Sequence, residues 1–298
     1  MGKKKIDDNF IMSPKVDFTF KLLFGDPKHK DLLIALLSAV LGLPEEQFAD
    51  IEIINTELLR EFKEDKKGIL DVRVRTKEGK QIDIEIQILP TEFMAERTIF
   101  YLAKMYTSQI KSGDTYDILK KCITINIVDF PCTPLKKLHS KYHLTEDETG
   151  HRLTDVIEIH FLELPKLFDK EVPRDEDDVI VQWLEFIDGK SKGVMEMLSK
   201  KNENIKKAYD LLKVISKDEK ARMLYDARNA EITDQLTRIK SAEKKGKEEG
   251  IEIGEERKAI KAAENSFRKG LSVEDAAEIA EISIEKAREI KRNMEINH

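Results

Sequence analysis

Residues 69–88, ILDVRVRTKEGKQIDIEIQI, decide the fold. Apolar and polar residues alternate on both sides of Lys77-Glu78-Gly79, which is the period of a strand with one buried face. A three-residue loop ending in glycine suits a hairpin, because glycine accepts the left-handed conformation that closes it. With that loop, Thr76 faces Lys80, Arg73 faces Asp83 and Asp71 faces Glu85. One side then carries Leu70, Val72, Val74, Ile82, Ile84, Ile86 and Ile88. The other carries Asp71, Arg73, Arg75, Asp83, Glu85 and Gln87.

Outward from the hairpin the pattern alternates between helix and strand. Helices are expected at about Asp17–Phe24 and Lys28–Leu43, the second with leucines at helical spacing and Gly42 and Pro44 to stop it. Ile51–Ile54 reads as a short strand. After Pro90 a helix is expected from about Glu92 to Ser112, then strands at 121–130 and 155–164. From Pro173 onward the pattern is helical, at 175–188, 190–200, 202–216 and from 218 to about 245. Gly246, Gly250 and Gly254 follow at four-residue intervals in a charged segment that reads as a frayed linker or a closely packed helix. Residues 256–298 read as three short helices, Gly270 ending the first and Ser272 and Ser283 being N-cap candidates for the second and third, with the size of a helix-turn-helix or of a small interaction module. The expected organisation is an α/β core at 10–165, a helical region at 166–240, a glycine-repeat connector at 241–258 and a small helical tail at 259–298.

Composition bounds the function. The chain has 298 residues, 40% hydrophobic and 37% charged, with 52 Lys and Arg against 58 Asp and Glu. There is enough apolar material for a core. A globally basic coat for nucleic acid is excluded, while a local basic surface is not. Two cysteines make no disulfide framework and favour a reducing compartment. The longest apolar run, Leu32–Leu43, is too short to cross a bilayer, and no signal-peptide pattern is visible. These features give the expectation of a cytoplasmic protein with no membrane partner.

The polar hairpin face carries the chemistry. Asp71 and Glu85, directly opposed, would have Cβ atoms about 4.5–5.5 Å apart. Carboxylates so close repel unless water, a basic group or a cation intervenes. A hard divalent ion answers this: Mg²⁺ takes oxygen ligands and keeps several waters, so two carboxylates and a backbone carbonyl, that of Ile86, suffice. Such an ion activates water and neutralises charge developing on a phosphodiester. Gln87 is neutral and is suited to orienting water or phosphate, not to proton transfer. The same residues also read as a solvated strand face with charge pairing, such as Arg73 with Asp83.

This arrangement resembles the PD-(D/E)XK nuclease superfamily, in which an acid on one strand and E-x-K on the next build a metal site; here E-x-Q stands in place of E-x-K. More narrowly, the chain is similar to the Rpn family of recombination-promoting nucleases, also labelled transposases. The stretches that carry the resemblance are SPKVDFTFKLLFGDPKHKDLLIALLSAVL (13–41), DKKGILDVRVRTKEGKQIDIEIQ (65–87) and ERTIFYLAKMYTSQIKSGDTYDILKKCITINIVDF (96–130), with the glycine-repeat tail. The resemblance implies an α/β fold with a mixed sheet flanked by helices, followed by a helical C-terminal region. It implies a metal-dependent DNA endonuclease using Mg²⁺ or Mn²⁺ and linked to recombination or transposition. Asp71, Glu85 and Gln87 would be catalytic, with Asp71, Glu85 and Ile86 holding the metal. Asp17 and Lys21 would reach the site from the first helix. Arg97, Tyr101 and Gln109, at spacings of four and eight, would share a helix face and meet DNA.

Two alternatives stay open: a DNA-binding protein of the same fold with a degenerate site, and a helical interaction protein whose hairpin acids are merely solvated. The C-terminal helices are a candidate surface for homo-oligomerisation. Cys132, His139 and His143 lack the second cysteine pair of a zinc site. No phosphate-binding P-loop and no G-x-S-x-G elbow is present.

Overall fold

A computed structural model of the chain describes residues 10–54 and 72–296. Its centre is a six-stranded mixed sheet in the order β1-β2-β3-β4-β6-β5. The strands are β1 (Glu52–Ile54), β2 (Val72–Arg75), β3 (Gln81–Gln87), β4 (Cys122–Val128), β5 (His139–Tyr142) and β6 (Ile157–Glu163). Strands β3, β4 and β6 run parallel; β1–β2, β2–β3 and β5–β6 are antiparallel.

The hairpin forms in the register read from its sequence. Arg73 pairs with Asp83 and Val72 with Ile84. The Thr76 N–H donates to the Lys80 carbonyl at 2.9 Å, and the Gly79 N–H to that of Thr76 at 2.9 Å. Gly79 has φ +88°, the left-handed conformation the loop requires. Asp71, expected opposite Glu85, lies outside the described residues.

Helix α1 (Asp17–Phe24) packs against β3, and α2 (Lys30–Leu41) packs against α1. The isoleucines of β3 and β4 make one sheet face, where Ile82, Ile84, Ile123, Ile125 and Ile127 are almost wholly buried. Helix α3 (Met94–Thr107) covers the opposite face. Its Leu102 and Met105 pack with Cys122, and its Met94 with Val128, Phe130 and Phe161. Three residues of the polar hairpin face are therefore not solvated, while Arg75 on the same face is exposed. Arg73, Asp83 and Glu85 are 8%, 3% and 5% exposed. Arg73 donates to Gln81 and lies across from Asp83, whose charge acts on it inside the protein.

Three elements differ from the sequence expectation. α3 stops at Thr107 and not at Ser112, and the chain then turns at Ser108–Ile110, where the Gln109 and Ile110 N–H groups donate to the Tyr106 and Thr107 carbonyls at 3.3 Å. β5 was not anticipated: four polar-rich residues at a sheet edge give no readable period. The first of the three expected tail helices is not separate: α7 (Glu219–Arg268) runs through it and through the glycine repeat, for which helix was one of the two readings.

Helices α4 (Val179–Asp188), α5 (Lys192–Lys201) and α6 (Glu203–Ile215) belong with the sheet, since α4 and α6 pack on α2. Trp183 is at the centre of that packing, edge-on to Phe24 and Phe186. The chain divides into two compact units after Ile232. In the second, α8 (Val273–Ile279) and α9 (Ile284–Ile296) enclose Ala263, Ala280 and Ile290. Ser272 caps α8 by accepting from the Asp275 N–H at 3.0 Å, and Ser283 accepts from the Lys286 N–H at 3.2 Å. Among the described residues no helix is long and apolar enough to cross a membrane.

Candidate active site

Near the C-terminal end of β3, alternation turns Glu85 toward α3. Its neighbour on β4 is Asn126, which accepts from the Thr98 hydroxyl at 3.2 Å and donates to the His160 carbonyl at 3.0 Å. The side-chain partner of Glu85 is Arg97. Arg97 Nη2 lies 3.4 Å from one carboxylate oxygen and 3.5 Å from the other. Close charge-assisted pairs lie at about 2.7–2.9 Å, so this one is loose. Burial pushes the Glu85 carboxyl above its ordinary range, and the charge of Arg97 only partly opposes it.

Glu85 opens onto a cleft of about 280 Å³. The cleft is lined by Glu85, Ile86 and Gln87 at the end of β3, by Ile88 and Leu89 just after it, by Asp17, by Arg97 and by Arg228 and Ile232 of α7. The two ends of the first unit's chain therefore meet at one strand end. Asp17 is held tightly: Arg228 Nε is 2.9 Å from both of its carboxylate oxygens, and Nη2 is 2.6 Å from one. Arg228 also reaches Glu231 at 2.6 Å, and these hydrogen bonds raise its already high pKa further. Gln87 donates its amide to the Leu89 carbonyl at 3.0 Å, which fixes the plane of its carboxamide.

Of the residues expected from sequence, Asp17, Glu85, Ile86, Gln87 and Arg97 line one cleft. Lys21, one turn further along α1, is exposed and is not among the lining residues. Tyr101 is buried, 6% exposed, under the Arg97 guanidinium, which lies 5.0 Å from its ring centroid. Gln109 lies beyond the end of α3; its carboxamide accepts from the Lys120 N–H at 2.9 Å and donates to the Lys120 carbonyl at 3.0 Å, tying the turn to the start of β4. Sequence reasoning missed Arg228, 211 residues from its partner on a helix crowded with charges.

The cleft offers a hard cation oxygen donors: the Glu85 carboxylate, the Gln87 carboxamide and the Ile86 backbone, the Asp17 carboxylate being taken up by Arg228. An incompletely neutralised buried carboxylate is what such an ion would complement, so these residues fit a divalent metal.

A second group, His143, Asp155 and Glu158, also brings possible ligand atoms within 4.8 Å of one another. Its centre already holds a cation. Lys121 Nζ is 2.6 Å from Glu158 and 3.0 Å from Asp155. His160 donates to or accepts from the other oxygen of Glu158 at 2.7 Å and stands 2.7 Å from His139. Cys132 is not part of this group; its backbone N–H donates to Glu163 at 2.9 Å.

Compared with known proteins, residues 14–242 match the family model described as PD-(D/E)XK nuclease family transposase. No curated protein and no solved structure matches the chain.

Proposed function

The chain belongs to the PD-(D/E)XK nuclease family transposases, and from that premise we propose that the cleft at the end of β3 hydrolyses DNA phosphodiester bonds with a divalent metal. The observation that carries this reading is the buried Glu85, its carboxyl raised by burial and only loosely paired, opening onto a cleft that Asp17, Gln87, Arg97 and Arg228 share. Glu85, the Ile86 carbonyl and Asp71 hold the ion in this proposal, Asp71 on the sequence pattern alone. Mg²⁺ or Mn²⁺ would supply an activated water and offset charge on the phosphate.

The chain's own groups do the rest. Arg97 and Arg228 attract the phosphate and donate to its oxygens, a role that suits a planar guanidinium. Gln87 orients water or phosphate through its fixed carboxamide and transfers no proton. Asp17, drawn to Arg228, sets where that guanidinium points. The link to recombination or transposition comes from the family.

Supercoiled plasmid incubated with the purified chain and Mg²⁺ or Mn²⁺ tests the proposal. Nicked or linear product that disappears on chelation and in Glu85→Gln supports it. Binding without cutting favours the degenerate site, and cutting that survives Glu85→Gln rejects the assignment of the cleft.

A further inference from the structure

Helix α3 brings Arg97 to the cleft on a strip that also carries Phe93, Phe100 and Lys104. Arg97, Phe100 and Lys104 follow at i, i+3 and i+7, which lines them along one flank of the helix, and Phe93 is the N-cap residue one turn before Arg97. The neighbouring flank, with Met94, Thr98, Leu102 and Met105, is buried against the sheet. On the strip the phenyl rings are in the open: Phe93 is 63% and Phe100 48% exposed. A single exposed aromatic needs no explanation, but two on the flank that supplies a cleft residue do.

Each feature of the strip matches one part of a nucleotide. Lys104 Nζ lies 4.4 Å from the Phe100 centroid, and Tyr101 meets the Phe100 ring edge-on at 5.4 Å. Arg97, between the two phenylalanines, faces the cleft. Rings for bases alternate with cations for phosphates, the combination that single-stranded nucleic acid requires.

We propose that Phe100, with Phe93, is a stacking platform for unpaired bases next to the phosphate that enters the cleft. The substrate class is DNA with a single-stranded or splayed segment beside the cut. This inference rests on the reading of the cleft as a nuclease site and goes beyond it by naming the DNA form.

Phe100→Trp supplies a direct probe, because the chain's one tryptophan, Trp183, is 1% exposed and shielded from added ligand. The full chain is titrated, without added metal, with a thymidine oligonucleotide of roughly twelve nucleotides and with an abasic strand of equal length. The introduced indole should be quenched by the thymidine strand and not by the abasic one. Phe100→Ala should weaken binding of the thymidine strand roughly tenfold, read by fluorescence anisotropy, with little effect on the abasic strand. Equal quenching by both strands, binding without quenching, or unchanged affinity in Phe100→Ala overturns the platform. If metal-dependent cleavage is nevertheless lost in Glu85→Gln, the nuclease reading stands while the platform falls. A parent chain that neither binds nor cuts DNA overturns both.

Discussion

Arg97 stands 3.4 and 3.5 Å from the two carboxylate oxygens of Glu85, whereas Arg228 closes on Asp17 at 2.6–2.9 Å. The two acid–arginine pairs share one cleft but differ in how completely they are neutralised. Asp17 is satisfied by protein alone. Glu85, more deeply buried, has the weaker partner and the raised carboxyl. The asymmetry identifies Glu85 as the group that a cation would complement most.

Replacing Glu85 tests that asymmetry. Glu85→Gln keeps the shape and removes a charge that burial disfavours, so the melting temperature at neutral pH should not fall. Metal-dependent cleavage should fall at least about a hundredfold, the scale on which one electrostatic group commonly contributes. Thermal melts and plasmid cleavage on the same preparation read both. A raised carboxyl pKa means that the folded chain holds its proton to higher pH than the unfolded one. The charge penalty at Glu85 therefore grows as pH rises above the ordinary glutamate value, and the advantage of the glutamine variant should grow with it.

Arg228→Ala releases Asp17. The pair is partly exposed, Arg228 at 35% and Asp17 at 27%, so screening limits its contribution to about 1 kcal/mol. The expected fall in melting temperature is about 2–4 °C, with a larger loss of cleavage. Arg228→Lys should not recover activity, because an ammonium cannot span both Asp17 oxygens. Recovery by lysine would show that charge alone suffices.

Gly79 has φ +88°, and a Cβ there would come within 3.1 Å of Lys120 Cγ. The flexible lysine stem can yield, but the left-handed backbone cannot relax. Gly79→Ala should lower stability by about 1–2 kcal/mol, measured by urea denaturation. An unchanged midpoint would mean that the hairpin loop does not hold this conformation.

The histidine chain behind β6 gives a second pH dependence. Burial, assisted by neighbouring His160, lowers the His139 pKa to about 4. Burial also lowers that of His160, against the pull of Glu158. Both imidazoles are protonated more readily in the unfolded chain, so stability should decline as pH falls below about 6.5 toward 4. His139→Gln should flatten that decline in melts taken from pH 7.5 to 4.5. A decline of unchanged slope would remove His139 from the cause.

Much of this was legible locally. The Lys77–Gly79 loop fixes the register of β2 on β3, and alternation from Gln81 to Gln87 assigns every β3 residue to a face. What local pattern cannot tell is what covers a face. The charged side of the hairpin looks solvated until Arg73, Asp83 and Glu85 are seen to be buried. Likewise Asp17 was a candidate from resemblance, but its partner Arg228 carries no mark that separates it from the other charges of α7. Pairing across 211 residues is a property of the tertiary fold. β5 was hidden for another reason: an edge strand reading HSKY has too few residues to establish a period.

The most direct test is the position of a bound ion. Crystals soaked in Mn²⁺ should show an anomalous peak in the cleft, within about 2.0–2.6 Å of a Glu85 carboxylate oxygen, and Glu85→Gln should abolish it. A peak confined to His143, Asp155 and Glu158, with the cleft empty, would contradict the account.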